Sequence, residues 1–340
     1  MSIGRIKFGV VGQGHIGKRH AAMIRQNSQA ELVAICDTQP KEKLGLEDVA
    51  ENFYTSLDEM LQAHPEIEVV NVCSPNGLHA EHCIAAIHAG KHVVCEKPMA
   101  LSKADCEKII FTALQNHKQV FVVMQNRYSP PSMWLKEMID QKTIGEVFMV
   151  EINCLWNRDE RYYTKPHWKG TRALDGGTLF TQFSHFIDIM YWVFGDIRNI
   201  HSKFGNFNHQ SLIEFEDSGI VSFEFTNAGF GILTYTTSVW DKNMESSMTV
   251  IGSKGSLKIG GQYMDKIEYC HIKDYTIPSL SPTNPANDYG TYKGSANNHP
   301  QVIQNVVDTL NGNNSPSTNA LEGLKVVEII ERIYKTNPYV

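Results

Sequence analysis

The 340-residue sequence predicts an α/β chain in two parts. Residues 1–124 read as a doubly wound parallel sheet, and residues 125–340 as an α/β domain on a large, mostly antiparallel open sheet. Three observations predict this. An apolar strand runs into a glycine-rich turn, a helix and a second strand that closes on an acid. Short valine-rich strands then alternate with helices to about residue 124. After about residue 145 the pattern changes to period-two strands separated by turn residues.

The first strand covers residues 5–11 and leads into Gly12-Gln13-Gly14-His15-Ile16-Gly17. A helix over about residues 18–27 follows, then a strand over residues 31–36 that ends on Asp37. Gly12 permits the tight turn, Gly14 lets backbone approach a pyrophosphate, and Gly17 lets helix and strand pack closely. The helix N-terminus adds free N–H groups and the positive end of its dipole. Asp37 stands where a ribose diol needs an acceptor, and its charge opposes a 2′-phosphate. Lys41 and Lys43 nearby soften that opposition. The expected cofactor is NAD.

Residues 68–73 and 92–95 are short apolar strands of the kind buried on both faces, with a helix over about residues 79–89 between them. Another helix, residues 102–116, and a strand, residues 119–124, complete the first sheet. Ligands of such sheets gather at the carboxyl ends of the strands. That places Ser74, Pro75, Asn76, the following His79, and Glu96-Lys97-Pro98 beside the cofactor. Lys97 comes after three apolar residues and Glu96 and precedes a proline, an unusual setting for a surface lysine. Partial burial there would suit a residue that binds or deprotonates a hydroxyl.

In the second half, residues 147–156, 210–215, 220–226, 231–239, 247–251 and 256–259 read as strands. Asp217-Ser218-Gly219 and Gly252-Ser253-Lys254-Gly255 read as hairpin turns. A helix over about residues 179–194 would set Thr181, His185 and Asp188 on one face. Two more helices, residues 300–310 and 320–334, end the chain, after an irregular Ser/Pro/Asn/Gly/Tyr-rich stretch at 279–298. Spacing alone leaves His185 open between a satisfied core histidine and a catalytic one. Between Asn157 and Arg172 lie Arg158, Arg161, Lys165, His167, Lys169 and Arg172, interleaved with Tyr162, Tyr163 and Trp168. A cationic and aromatic stretch in an acidic protein suits an anionic ligand that carries a ring.

The net charge is −6, which gives no global reason to expect nucleic acid or an anionic membrane as partner. No apolar run approaches the roughly 18 residues that span a bilayer. The N-terminus lacks a signal-peptide pattern. Seven cysteines form no C-x-x-C pair and read as reduced thiols, so the expected location is cytoplasmic. His79, His82 and Cys83 share a helix face without a carboxylate nearby, and no metal is expected.

Gly12-x-Gly14-x-x-Gly17, Glu96-Lys97-Pro98 and Gly176-Gly177 leading to His185-x-x-Asp188 together resemble the glucose–fructose oxidoreductase/inositol dehydrogenase (Gfo/Idh/MocA) family over nearly the whole chain. The resemblance implies an N-terminal Rossmann domain for NAD(P) and a C-terminal substrate domain whose sheet builds a homodimer or homotetramer. It implies Lys97 and His185 as the catalytic pair. Family members often carry an aspartate four residues before that histidine; here it is Thr181. Further matches point to a branch that oxidises C3 of UDP-N-acetylglucosaminuronate for polysaccharide synthesis. They are Trp156-Asn157-Arg158, Tyr162-Tyr163, Trp168-x-Gly170-Thr171, Gln182-x-x-His185, Gln125-Asn126-Arg127-Tyr128 and the segment with Tyr289, Ser295 and His299. This implies Gln125 and Arg127 near the cofactor. It also implies Arg158, Tyr163, Trp168 and Thr171 at the sugar acid, Gln182 orienting the ring, and Tyr289 and Ser295 at the diphosphate or uracil. An inositol or free-sugar dehydrogenase and a non-catalytic NAD-dependent sensor are the alternatives.

Overall fold

The computed structural model describes residues 4–163, 168–227, 229–290 and 292–337. Lys165 and His167 of the cationic stretch lie outside them. The chain divides into two compact units. One runs up to Val123 and includes His299–Val327; the other is Met124–Asn298 with the residues from Glu328 onward.

The first unit contains β1 (Ile6–Val11), α1 (His15–Gln26), β2 (Ala30–Cys36), β3 (Asn52–Tyr54), α2 (Leu57–Ala63), β4 (Val69–Val72), α3 (His79–His88), β5 (His92–Cys95), α4 (Lys103–Gln115) and β6 (Val120–Val122). The strands form one sheet in the order β3-β2-β1-β4-β5-β6. All five pairings are parallel. Parallel pairing buries both faces, and every residue of β4 is buried accordingly. The strand order reverses direction between β1 and β4, the switch point where such sheets hold ligands. The glycine turn, Asp37, Ser74–Asn76 and Glu96–Pro98 all follow the carboxyl ends of strands there.

The second unit contains α5 (Pro130–Asp140), β7 (Val147–Leu155), α6 (Ser184–Phe194), β8 (Ile197–Gly205), β9 (Ser218–Phe225), β10 (Phe230–Thr236), β11 (Glu245–Gly252), β12 (Gly255–Gly260), β13 (Lys266–Ile272), β14 (Ala286–Asp288) and β15 (Lys293–Ala296). Seven strands form an open sheet in the order β13-β12-β11-β7-β10-β9-β8. Only the β7–β10 pair is parallel; its neighbours are antiparallel. Alternation along β9 and β10 turns Val221, Phe223, Leu233 and Tyr235 inward. Phe183 and Phe186 meet Trp156 edge-on over that face, and Phe194 packs on Phe225. The opposite face leaves Met149, Ile220 and Phe230 exposed. Helix α7 (His299–Leu310) and the start of α8 (Ala320–Lys335) belong to the first unit, and the unit boundary falls within α8. Val122 N–H donates to Thr318 O, which closes the β6 edge of the parallel sheet.

Three expectations are corrected. Residues 210–215 are not a strand: Leu212 and Ile213 N–H both donate to His209 O in a turn. Ile213 and Phe215 are buried because they pack with Tyr162 and Tyr163, not because they pair in a sheet. Asp217-Ser218-Gly219 is not a hairpin turn, since β9 begins at Ser218. A Cβ on Gly219 would meet the Tyr235 ring at 2.5 Å, so this glycine serves close packing. The helix ahead of His185 is also not a continuous α-helix. A π-helical turn at Leu179–Phe183 shifts the phase, so Thr181 does not stack one α-turn below His185.

Candidate active site

The nucleotide turn in the first unit is built as its glycines require. Gly12 has φ 86°, and a Cβ there would meet Cys73 O at 2.5 Å. A Cβ on Gly17 would overlap Gly12 O. Around Gly14 a Cβ would meet nothing within 4 Å, so backbone alone faces open space. This is a cradle for a pyrophosphate at the start of α1. Gln13, His15 and Ile16 complete the turn. Asp37 accepts from Gln13 N–H at 2.6 Å and from Gln39 N–H at 2.8 Å, which fixes its carboxylate beside the turn. The Lys41 ammonium is committed to Val49 O at 2.8 Å.

Two further loops are braced by one imidazole. His79 places Nδ1 2.7 Å from Pro98 O and Nε2 2.9 Å from Ser74 O. Burial lowers the His79 pKa, but the Cys95 thiol and the two carbonyls outweigh it and leave the value raised. His82 Nδ1 bonds Ser74 Oγ at 2.8 Å, so both histidines of α3 are hydrogen-bonding braces. Asn76 is buried beside them. Lys97 is half-buried, and its backbone N–H donates to Glu96 Oε2 at 3.1 Å. Among the described residues one group, His20, Glu96 and His299, holds three possible metal-ligand atoms within 4.8 Å of one another.

In the second unit His185 lies on the first turn of α6 and is buried. Its Nε2 lies 3.2 Å from Gln125 Nε2, which also donates to Ser295 Oγ at 3.3 Å. With the amide donating, Nε2 carries the lone pair, the tautomer that can accept a proton. Asp188, one turn on, accepts two bonds from Arg127 at 2.9 and 2.6 Å. That bidentate pair is buried and fixes the Gln125–Tyr128 segment against α6.

A second group surrounds Arg158, which is 2% exposed. Its Nε donates to Gln182 at 2.8 Å, and its Nη groups reach Asn157 O, Asn243 and Lys293 O. The guanidinium lies 4.8 to 5.2 Å from the rings of Trp156, Tyr292 and Tyr162. Every hydrogen-bond partner here is an amide or a carbonyl. Gln182 passes its own N–H to Tyr162 OH at 2.8 Å. Lys169 Nζ sits 3.8 Å over the Tyr162 ring. Burial and then the charge of Arg158, against the pull of Asp175, bring Lys169 down to about 8.

Of the remaining sequence-predicted residues, Tyr163 is buried edge-on to Tyr162 and His209. Thr171 Oγ1 donates to Trp168 O at 2.7 Å, and Trp168 is half-buried. Tyr289 stacks near Tyr292, 4.9 Å apart. Thr181 donates to Asp175, whose carboxylate also takes Gly170 N–H at 2.7 Å. Sequence reading left Asp175, Asn243, Glu216 and the bracing role of Asp188 unassigned. A buried acid beside paired glycines was the available signal for Asp175; Asn243 carried none.

Comparisons with known proteins agree with this architecture. Residues 6–124 match the GFO_IDH_MocA model, an oxidoreductase family with an NAD-binding Rossmann fold. Residues 136–337 match that family's C-terminal α/β domain. The WlbA dehydrogenase from Bordetella pertussis, solved with NADH and UDP-GlcNAcA, aligns at TM-score 0.86 and 30% identity over 98% of this chain and 96% of that one. The WlbA enzyme of Chromobacterium violaceum, solved with the same two ligands, aligns at 0.87 and 30% over 99% and 94%. An inositol 2-dehydrogenase of Salmonella typhimurium is 30% identical over 196 residues, 56% of this chain and 55% of that protein.

Proposed function

The chain belongs to the Gfo/Idh/MocA oxidoreductase family, and on that premise we propose that it oxidises the C3 hydroxyl of UDP-N-acetylglucosaminuronate to the 3-keto sugar. One observation carries the choice of an anionic substrate. Arg158 and Lys169 stand together among Trp156, Tyr162 and Tyr292, and burial, then the Arg158 charge, bring Lys169 down to about 8. A carboxylate or diphosphate beside Lys169 offsets both the burial of its charge and the repulsion from Arg158. A neutral polyol supplies no such charge. The two WlbA dehydrogenases solved with UDP-GlcNAcA support the same reading.

Bound NAD supplies the hydride acceptor at its nicotinamide C4. The backbone at Gly12–Gly17 holds the pyrophosphate, and Asp37 takes the ribose diol. With Lys41 drawn off to Val49 O, the Asp37 charge favours NAD over NADP. Lys97 hydrogen-bonds the C3 hydroxyl and His185 Nε2 removes its proton as the C3 hydride departs, or the two exchange roles. Ser295 and Gln125 hold the imidazole in its accepting tautomer. Arg158 acts through Gln182, Asn243 and the Lys293 carbonyl, shaping the pocket around the sugar acid. The exposed sheet face with Met149, Ile220 and Phe230 suits a homodimer or homotetramer. The setting is cytoplasmic synthesis of a surface polysaccharide.

The test is product detection with NAD and three substrates: UDP-N-acetylglucosaminuronate, UDP-N-acetylglucosamine and myo-inositol. The reading expects the 3-keto acid from the first and loss of about 100-fold or more in Lys97→Ala and His185→Ala. Near-normal turnover in either variant contradicts it. The similarity to an inositol 2-dehydrogenase favours a second reading, which preferential oxidation of myo-inositol would establish.

A further inference from the structure

His20, Asn71, Glu96 and His299 form a buried cluster in the first unit that none of the steps above uses. His20 lies on the inner face of α1, 1% exposed. Its Nδ1 is 2.7 Å from Asn71 Nδ2 on β4, and its Nε2 is 2.9 Å from Glu96 Oε1. His299, the first residue of α7, brings Nε2 to 3.6 Å from the same oxygen. The other oxygen of Glu96 accepts the Lys97 backbone N–H.

These bonds converge on Glu96. Asn71 donates to Nδ1, the Nε2–H of His20 donates to Glu96, and Glu96 receives the Lys97 N–H on its far oxygen. With Nδ1 accepting and Nε2–H donating, the ring satisfies both of its bonds. Burial by itself raises Glu96, yet the His20 and His299 contacts hold its carboxyl well below the usual range. A buried carboxylate is costly unless paired, so its fixed position depends on that ring.

We propose that His20 is a positioning residue for Lys97: it pins Glu96 beneath the 96–97 peptide and ties that peptide to α1, the helix that opens the nucleotide cradle. The consequence is a mechanical link between the cofactor turn and the lysine proposed to handle the proton. Misplacement of such a group by about 1 Å can cost about 100-fold in rate. The inference rests on the catalytic reading of Lys97.

The experiment compares His20→Asn and His20→Gln in the full-length protein. Glutamine carries an N–H to where Nε2 stood; asparagine reaches only the Nδ1 position. Competitive acetylation followed by mass spectrometry reads the reactivity of Lys97 against pH, without any need for turnover. His20→Asn is expected to change the Lys97 labelling rate by about threefold or more, a shift of about half a pH unit. The other lysines and NADH binding stay as in wild type, and His20→Gln restores the profile. With UDP-N-acetylglucosaminuronate, kcat falls about tenfold or more in His20→Asn while KM holds.

An unchanged Lys97 profile in a folded His20→Asn protein overturns the proposal. So does equal damage from asparagine and glutamine, which marks a merely structural residue. One equivalent of zinc in the purified protein also overturns it, because Nε2 cannot both donate to Glu96 and hold a metal. A wild-type enzyme inert toward every sugar counts instead against the proposed function, since the labelling assay stands without it.

Discussion

Glu216 offers the sharpest quantitative prediction. Its side chain is 3% exposed, and Oε1 accepts from Tyr334 OH at 2.7 Å and Tyr235 OH at 3.0 Å. Tyr334 OH in turn accepts the Leu179 N–H at 3.0 Å, at the entrance of the helix that carries His185. Burial outweighs these phenol donors and raises Glu216 from 4.5 to about 7. A raised folded-state value means the stability contribution is complete below 4.5 and is lost as pH rises through about 7. At about 1.4 kcal/mol per tenfold in proton affinity, the full loss is about 3 kcal/mol. The perturbation is Glu216→Gln, whose amide oxygen still accepts both phenols and whose charge is fixed at zero. The assay is urea unfolding at about pH 5 and about pH 8.5. Wild type should lose about 2–3 kcal/mol between them beyond any change in the variant, and the variant should be the more stable protein at the higher pH. Parallel decline of the two proteins refutes the reasoning.

Three other predictions follow from the same kind of geometry. Arg127→Met strands the buried Asp188 charge and should cost about 3–5 kcal/mol of stability in denaturant unfolding, with much of it regained in Arg127→Met/Asp188→Leu. Lys169→Met should raise KM for UDP-N-acetylglucosaminuronate about tenfold with little change in kcat, and leave any activity on a neutral sugar alone. Burial raises Asp217, but the bond to His209 and the Asn208 N–H, Ser218 and Ser238 contacts bring it down to about 2. Its stabilisation is therefore present above the ordinary 3.8 and fades as pH falls through about 2, so Asp217→Asn should lower stability at neutral pH and flatten the acid limb of the unfolding profile.

The nucleotide unit was legible because its signals are local. Gly12, Gly17 and Asp37 each answer a steric or electrostatic demand set by a few neighbouring residues. The second unit was less so. Residues 210–215 alternate like a strand because Ile213 and Phe215 bury against Tyr162 and Tyr163, and burial by packing has the same period as burial by pairing. Gly219 read as a turn because sequence does not show the Tyr235 ring lying across it. The π-helical turn before His185 left no compositional mark. Arg158 and Lys169 stood out as a cationic run, yet Arg158 proved fully enclosed and hydrogen-bonded within the protein. His20 and Glu96 are 76 residues apart, and nothing in either segment announces the other.

The most direct test of the central claim incubates the purified protein with NAD and UDP-N-acetylglucosaminuronate, with and without 2-oxoglutarate. NADH absorbance is followed beside mass-spectrometric detection of the sugar product. The account predicts a 3-keto nucleotide sugar under at least one condition. NADH accumulating without the oxo-acid marks free cofactor exchange, and product without net NADH marks recycling in place. No 3-keto product under either condition contradicts the account.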